Sequence, residues 1–163
     1  MSDELFMKEA LSLAAQSAAE GEVPVGAVVV IDGRIVGRGR NRREKDKNAL
    51  AHAELEAINE ACRTLGGWRL WQCDMYVTLE PCPMCTGAII NSRIKRLVYG
   101  ASDYKAGSCG SVVNLFDLPY NHRPEMIPGF MQEECSAMLT DFFRALRNSK
   151  SAEKRQNISD CEE

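Results

Sequence analysis

The chain has 163 residues, of which 45% are hydrophobic and 26% are charged. These proportions are those of an ordinary globular protein, so they exclude wholesale disorder, and the length predicts one domain with at most a small appendage. The formal net charge is −3, which taken alone argues mildly against a nucleic-acid partner.

The positive charge is concentrated in three stretches. Residues 34–47, 93–105 and 144–155 carry net charges of +5, +3 and +4. A folded chain could gather these stretches on one face that binds a polyanion. They could also be scattered, solvated surface charge, which is the interpretation that composition alone favours.

The cysteine content and the N-terminal sequence indicate the cellular compartment. There are seven cysteines, an odd number. The N-terminus lacks the basic and apolar regions of a secretory signal, and the longest apolar run, residues 27–31, is far shorter than the roughly 20 residues of a membrane span. We therefore expect a soluble, cytoplasmic protein with no membrane partner, whose cysteines are core residues, metal ligands or catalytic groups rather than disulfides.

Helix and strand patterns alternate along the chain. Apolar residues three and four apart predict helices, and short runs of β-branched residues predict strands. Asp32-Gly33 is a strong signal for a tight hairpin, and Pro81 suits the start of a helix, where its missing N–H loses no partner. The predicted elements are a helix at 2–20, strands at 25–31 and 34–39, a helix at 52–65, a strand at 75–79, a helix at 81–92, a strand at 96–101, a short strand at 126–127 and a helix at 132–147.

This order of elements predicts the fold class. A hairpin followed by alternating helices and strands indicates an α/β fold of three layers, with a mixed sheet of about five strands and helices on both faces. We assign residues 1–147 to this domain. Residues 148–163 are polar and charged, and we expect them to be a disordered C-terminal tail.

Two short segments carry side chains suited to metal chemistry. The first is His52-Ala53-Glu54 and the second runs from Cys82 to Cys85. Both cysteines fall in the first turn of a predicted helix, whose positive end favours the thiolate. Two thiolates and one imidazole are good zinc ligands, and three protein ligands with an open position are typical of a catalytic zinc site.

Each segment alone has a simpler interpretation. An isolated pair of cysteines at this spacing could be a thioredoxin-like redox motif. A His-x-Glu at a helix start is usually a pair of exposed polar residues with no functional role. However, the 27 residues between Glu54 and Cys82 leave room for the rest of one helix and one strand. That arrangement would bring two helix N-termini to the same end of the sheet, so the two segments together favour a catalytic zinc site.

The two segments also match a known signature. H-x-E followed by P-C-x-x-C is the pattern of the zinc-dependent cytidine/deoxycytidylate deaminase superfamily, which the chain resembles. A finer resemblance, to the bacterial tRNA-specific adenosine deaminases, covers roughly residues 4–147. It rests on residues 23–27, Asn41, 51–54, 76–85, 107–111, 121–123 and 141–144.

The resemblance implies a fold and a reaction. The fold is the three-layer cytidine-deaminase-like fold, with the deaminase domain over residues 1–147. The reaction is the hydrolytic deamination of adenosine to inosine at the wobble position of a tRNA anticodon loop. One zinc ion per subunit would be bound by His52, Cys82 and Cys85, and Glu54 would be the catalytic general acid and base.

The resemblance also implies substrate contacts. Asn41 resembles the family's base-reading amide, although an Asn that only turns the chain after a strand is the simpler interpretation of this residue by itself. The tRNA anticodon stem-loop would lie against an apolar pocket with a charged rim. The expected substrate-binding residues are Asn41, Pro24, Val25, Ala53, Arg42 and Arg43.

We expect a homodimer, mainly from the resemblance. The helix predicted at 81–92 carries Ala88, Ile89 and Ile90, which is more apolar surface than packing on one sheet face needs. A two-fold interface would bury that surface.

Two other functions stay open at this point. A zinc-dependent deaminase of a free base or nucleotide, such as guanine or cytosine, would use the same motif, but it has no need of the basic stretches. A non-catalytic RNA-binding subunit with a structural zinc would lack the acid/base carboxylate, whereas Glu54 is present.

Overall fold

The helices and strands of the protein follow the predicted order. The computed structural model describes residues 2–161, and besides the predicted elements it contains a short 3-10 helix at Leu115–Asp117. The elements are α1 (Asp3–Ala19), β1 (Gly26–Ile31), β2 (Arg34–Arg40), α2 (Ala53–Leu65), β3 (Asp74–Leu79), α3 (Pro83–Ser92), β4 (Arg96–Ala101), β5 (Glu125–Ile127) and α4 (Gln132–Cys161).

The sheet contains five strands in the order β2-β1-β3-β4-β5. β1 runs antiparallel to both β2 and β3, whereas β3, β4 and β5 are parallel. The hairpin turn has positive φ angles at Asp32 and Gly33, 49° and 73°, as a two-residue hairpin turn requires. The predicted mixed sheet of an α/β fold is therefore confirmed.

Helices cover both faces of the sheet. Side chains of successive strand residues point to opposite faces, so β1 contributes to two separate cores. Val29 packs with Ala57 of α2 and Ile89 of α3, whereas Val28 packs with Phe6 of α1 and Cys135 of α4. This is the three-layer arrangement expected from the sequence.

α2 lies unusually close to β2. A Cβ atom on Gly37 would lie 2.1 Å from the carbonyl oxygen of Ala57, and one on Gly39 would lie 2.0 Å from that of Ala53. Both alanines are fully buried. The absence of side chains on the strand and the small side chains on the helix therefore fix the position of the α2 N-terminus, where His52 lies.

α3 begins two residues later than predicted. Its first residue is Pro83, and Cys82 is the N-cap residue with φ −73° and ψ 175°. A residue that precedes proline is disfavoured in the helical region, so Cys82 stays extended and Pro81 lies outside the helix. Cys82 thus projects from the end of an extended segment, while Cys85 lies in the first helical turn.

α4 is longer than predicted. It continues past residue 147 to Cys161, so residues 148–161 are helical rather than the expected disordered tail. This segment contains neither glycine nor proline, and its Lys, Arg, Ala and Glu residues favour helix. The prediction of disorder relied on its polar composition and did not take this helix propensity into account. Residues 162–163 lie outside the described residues, and the division of the chain at residue 147 stays a prediction.

Despite the length of α4, no helix within residues 2–161 is apolar enough over its length to cross a membrane.

We predict that Gly39→Ala destabilises the protein. The new methyl group would overlap the α2 backbone, and overpacking of this kind typically costs about 1–3 kcal/mol. Urea unfolding followed by circular dichroism measures the change in the free energy of unfolding.

Gly67→Ala is the matched control. No atom lies within 4 Å of a Cβ at Gly67, so we expect a change within about 0.5 kcal/mol. Equal effects of the two substitutions would contradict the close packing of α2 on β2.

Candidate active site

The two segments with metal chemistry meet at the starts of two helices. His52 is the N-cap residue of α2 and Cys82 that of α3, and both have extended backbones. The Sγ atom of Cys82 lies 3.6 Å from Nδ1 of His52, and the Sγ atom of Cys85 lies 3.5 Å from the same nitrogen. The fold therefore brings both helix N-termini to one end of the sheet.

These three side chains could hold a metal ion. Their ligand atoms all lie within 4.8 Å of one another. Two ligands of a tetrahedral zinc ion, at usual bond lengths, are about 3.6 Å apart, which the sulfur–nitrogen distances of 3.5 and 3.6 Å match. No fourth His, Cys, Asp or Glu joins the group among the side chains that the structure describes, those of residues 2–159, which is the pattern of a catalytic rather than a structural site.

Hydrogen bonds within this group favour a thiolate on Cys82. The pKa of its thiol is lowered to about 4, chiefly by the hydrogen bond from Cys85 and also by that from His52. The same thiolate raises the pKa of Cys85, and its hydrogen bond raises the pKa of His52. A negatively charged sulfur is therefore available to a cation at neutral pH, and binding a metal through both cysteines must release the proton of Cys85.

Glu54 lies in the first turn of α2 and is not part of the metal-binding group. Its side chain is buried, with 4% of the residue exposed. Burial raises the pKa of its carboxyl group to about 7, an effect to which the charge of Cys82 adds. A carboxyl group with this pKa can both accept and donate a proton at neutral pH, as a general acid and base must.

A cavity of about 190 Å³ lies beside the metal-binding group. Since an apolar cavity of about 150 Å³ accommodates benzene, this cavity has room for one heterocyclic base. Most of the predicted site residues line it. They are Val25, Asn41, Arg43, His52, Ala53, Glu54 and Cys82.

Three predicted site residues do not line the cavity. Cys85 is fully buried and reaches the site through its sulfur alone, and Pro24 is buried next to the cavity wall. The guanidinium of Arg42 forms an ion pair with Glu56 and faces a neighbouring cavity. The structure therefore places Arg43, and not Arg42, at the rim.

The amide of Asn41 is bonded to the backbone. Its Nδ2 donates to the carbonyl oxygen of Val23 at 3.1 Å, and its Oδ1 accepts from the backbone N–H of Arg43 at 3.2 Å. Asn41 therefore holds the turn after β2, as its simpler interpretation predicted. One amide N–H is left over from these two bonds, so reading of a base stays a prediction beside the structural role.

The predicted site residues leave out one side of the cavity, although the small, polar residues 107–111 suggested a loop that shapes its entrance. Glu80, Asp103 and Ala106 line that side, and none of them was predicted to be a site residue. Glu80 lies in residues 76–85, one of the stretches that carry the resemblance to the adenosine deaminases. However, the position of an acidic residue after a strand does not reveal which distant atoms it contacts. Only the fold brings residues 103–106 next to it.

Comparison with known proteins places the chain in a family. Residues 1–147 match the family model of the MafB19-like deaminases. The tRNA-specific adenosine deaminase of Bacillus subtilis (strain 168) is 49% identical over 159 residues, which is 97% of this chain and 98% of that relative. The chain belongs to the family of tRNA-specific adenosine deaminases.

Solved structures agree with this membership. One similar structure comes from studies of A-to-I editing by tRNA:A34 deaminases at the wobble position of transfer RNA. The deaminase matches it with a TM-score of 0.81 and 44% identity, over 83% of this chain and 99% of the other. It is less similar to the guanine deaminase from Bacillus subtilis, with a TM-score of 0.61 and 35% identity over 91% of this chain and 95% of the other.

We predict that Asn41→Ala destabilises the deaminase. The substitution leaves the carbonyl oxygen of Val23 and the N–H group of Arg43 without their amide partner. Because both bonds are only partly buried, we expect a loss near the lower end of the about 1–3 kcal/mol that unpaired buried groups cost. Thermal and urea unfolding of metal-loaded protein measure this loss.

Asn59→Ala serves as the control, because Asn59 is exposed on α2 and we expect no loss of stability there. If Asn41→Ala unfolds like the wild type, the amide does not hold the turn.

Proposed function

We propose that the protein is a zinc hydrolase that deaminates adenosine to inosine at the wobble position of a tRNA anticodon loop. The observation that carries this proposal is the position of the buried Glu54 beside the group of His52, Cys82 and Cys85, in a cavity of about 190 Å³. The alternative, deamination of a free base such as guanine, has less support, since among the solved structures identity falls from 44% to 35% and the TM-score from 0.81 to 0.61 between the two kinds of relative.

The donor set favours zinc, at one ion per chain. Two thiolates and one imidazole in a three-ligand site are a combination that zinc prefers. A zinc ion held by His52, Cys82 and Cys85 would supply an acidified water near neutral pH.

Glu54 then moves the protons of the reaction. Its carboxylate accepts a proton from the attacking water and delivers protons to N1 of the purine and to the departing amine. Water adds at C6, ammonia leaves, and the water oxygen remains as the carbonyl of inosine. The pKa of about 7 that burial gives Glu54 suits both directions of transfer.

Other cavity residues hold the base. Val25 and Ala53 form an apolar wall that excludes water, and the remaining N–H of Asn41 is suited to the N7 acceptor of a purine. A base must leave its stack to enter such a pocket, and anticodon-loop bases are already partly unstacked. The cavity therefore reads one base, while the rest of the RNA lies outside it.

The RNA is bound through its phosphates. Arg43 is exposed at the rim of the cavity. On α4, Arg147, Lys150 and Lys154 are exposed and spaced three and four residues apart, so they lie on one side of the helix. Phosphate contacts of this kind supply affinity rather than sequence selection.

We also propose a cytoplasmic homodimer, but not through the surface expected from the sequence. Ile89 and Ile90 are 0% and 6% exposed, because they pack in one core cluster with Phe116 of the 3-10 helix. The apolar side chains left exposed include Leu50 and Trp71, and a second copy could cover such surface. A dimer mass by light scattering at micromolar concentration is expected, and a monomer mass would contradict the proposal.

A deamination assay tests the proposed function. The purified protein is incubated with an anticodon stem-loop that carries A at the wobble position, with the same stem-loop carrying C there, and with free adenosine, guanine and cytosine. We expect inosine in the first RNA alone. Faster conversion of free guanine would support the small-molecule alternative instead.

We predict that Cys82→Ala and Cys85→Ala lose zinc and also stability, because the metal ties two helix starts together. Atomic absorption measures zinc per chain, and thermal unfolding measures stability. Cys73→Ala is the control, since Cys73 is a buried thiol outside the group and its loss leaves zinc binding intact. Full zinc occupancy in either ligand variant would refute the assignment.

We predict that RNA binding weakens steeply with salt despite the net negative charge. Each phosphate contact contributes about 0.7 to 0.9 to the slope of log affinity against log salt. Replacing Arg42 and Arg43 with Ala should flatten this slope, mainly through Arg43. Arg63→Ala, in the last turn of α2, is the control and should leave the slope unchanged. If the double variant also leaves it unchanged, this basic stretch is solvated surface only.

A further inference from the structure

One wall of the cavity is held by a single buried carboxylate. Asp103 and Ala106 form part of this wall. Glu80, which follows β3, is 1% exposed. Its Oε2 accepts the backbone N–H of Asp103 and its Oε1 that of Ser111, both at 3.0 Å. Glu80 thus joins the two ends of the segment 103–111, which we call the wall segment.

The wall segment is folded directly onto this carboxylate. A Cβ atom on Gly107 would lie 1.8 Å from Oε2 of Glu80, so the close approach requires glycine there. The next residue, Ser108, donates its backbone N–H to the carbonyl oxygen of Pro81 at 2.9 Å. Because Pro81 precedes Cys82, the wall segment is connected to the strand end that carries a metal-binding sulfur.

Apolar packing does little to hold the tip of the wall segment. Tyr104 is 81% exposed, and Lys105 and Ala106 are exposed as well. The tip has a local turn, in which Oδ1 of Asp103 accepts the N–H groups of Lys105 and Ala106. This turn shapes the tip but does not attach it to the rest of the protein. Further along the segment, Cys109 is fully buried and its carbonyl oxygen accepts the hydroxyl of Tyr99 at 3.3 Å. That part of the segment is anchored in the core, whereas the tip and the Asp103 end depend on the bonds to Glu80 and Pro81.

We propose that Glu80 is a positioning residue of the deaminase, which keeps the wall segment closed against the substrate base. This inference rests on the proposed function. Hydrogen bonds to a charged acceptor are stronger than those between neutral groups, so the carboxylate favours one position of the segment before substrate arrives.

The role has a kinetic signature. If only the closed wall binds the base, apparent affinity falls in proportion to the closed fraction. Saturating substrate selects the closed form, in which Glu54 and the metal-binding residues are unaltered. Loss of the bonds to Glu80 therefore raises KM and leaves kcat nearly unchanged.

Glu80→Gln is the principal test. The side chain keeps its size, but its NH₂ group now faces one of the two N–H donors. In the zinc-loaded protein we expect KM for the anticodon stem-loop to rise about tenfold, because a fall of the closed fraction to about a tenth lowers the apparent affinity by that factor. We expect kcat to change less than about threefold. Amide hydrogen exchange should accelerate in residues 103–111 and not in α2, and zinc per chain should stay the same.

Glu60→Gln is the matched control. Its Oε2 also accepts a backbone N–H, that of Arg38 at 2.7 Å, but Glu60 does not line the cavity. We expect this variant to leave KM and the exchange of the wall segment unchanged.

The wild-type protein provides a test that needs no variant. By NMR, the amides of Asp103 and Ser111 should exchange more slowly than that of Tyr104 in the substrate-free, zinc-loaded protein. Equal exchange rates would overturn the proposal.

The outcomes separate the two claims. An active wild type with unchanged KM and exchange in Glu80→Gln would refute the role of Glu80 alone. Loss of zinc in that variant would also refute it, because Glu80 would then support the metal site instead. A wild type that deaminates no base would refute the proposed function, and the role of Glu80 with it.

Discussion

The site depends on the meeting of two helix N-termini at one end of the sheet. α2 is held there because its alanines pack against Gly37 and Gly39, and α3 begins there because Pro83 keeps the preceding residue extended. As a result, side chains 30 residues apart in sequence, His52 and Cys82, lie 3.6 Å apart. The metal-binding group, the burial of Glu54 and the cavity beside them all follow from this arrangement.

Three buried carboxylates, of which Glu54 and Glu80 line the cavity, have different hydrogen-bond partners and therefore suit different roles. Removing a carboxylate from water is costly unless hydrogen bonds compensate. Glu80 accepts two backbone N–H groups, and Glu22, only 2% exposed, accepts those of Glu44 and Lys45 in the loop after β2. These two acids are suited to hold loops. Burial instead raises the pKa of Glu54 to about 7, which suits proton transfer.

Local sequence patterns predicted the elements that depend on neighbouring residues. The hairpin, the individual helices and strands and the two metal-binding segments belong to this class, and the meeting of His52 with the two cysteines was predicted from their pairing and from the resemblance. Other contacts between distant segments could not be predicted. The sequence does not show that Ile89 and Ile90 are buried in one core cluster with Phe116. Nor does it show that Arg42 forms an ion pair with Glu56, or that Glu80 accepts two N–H groups of the wall segment. The helix beyond residue 147 was missed for another reason, because residues 148–159 are all exposed and form no apolar face that a pattern could reveal.

The role of Glu54 is the central claim, and Glu54→Gln tests it most directly. The measurement is the single-turnover rate of inosine formation in the anticodon stem-loop, with zinc per chain determined on the same samples. Because one residue makes several proton transfers, each typically worth about 10² to 10⁴-fold, we predict a rate loss of about 10⁴-fold or more with zinc retained and RNA still bound. A variant that keeps more than about a tenth of the wild-type rate, or one that loses its zinc, would contradict the account.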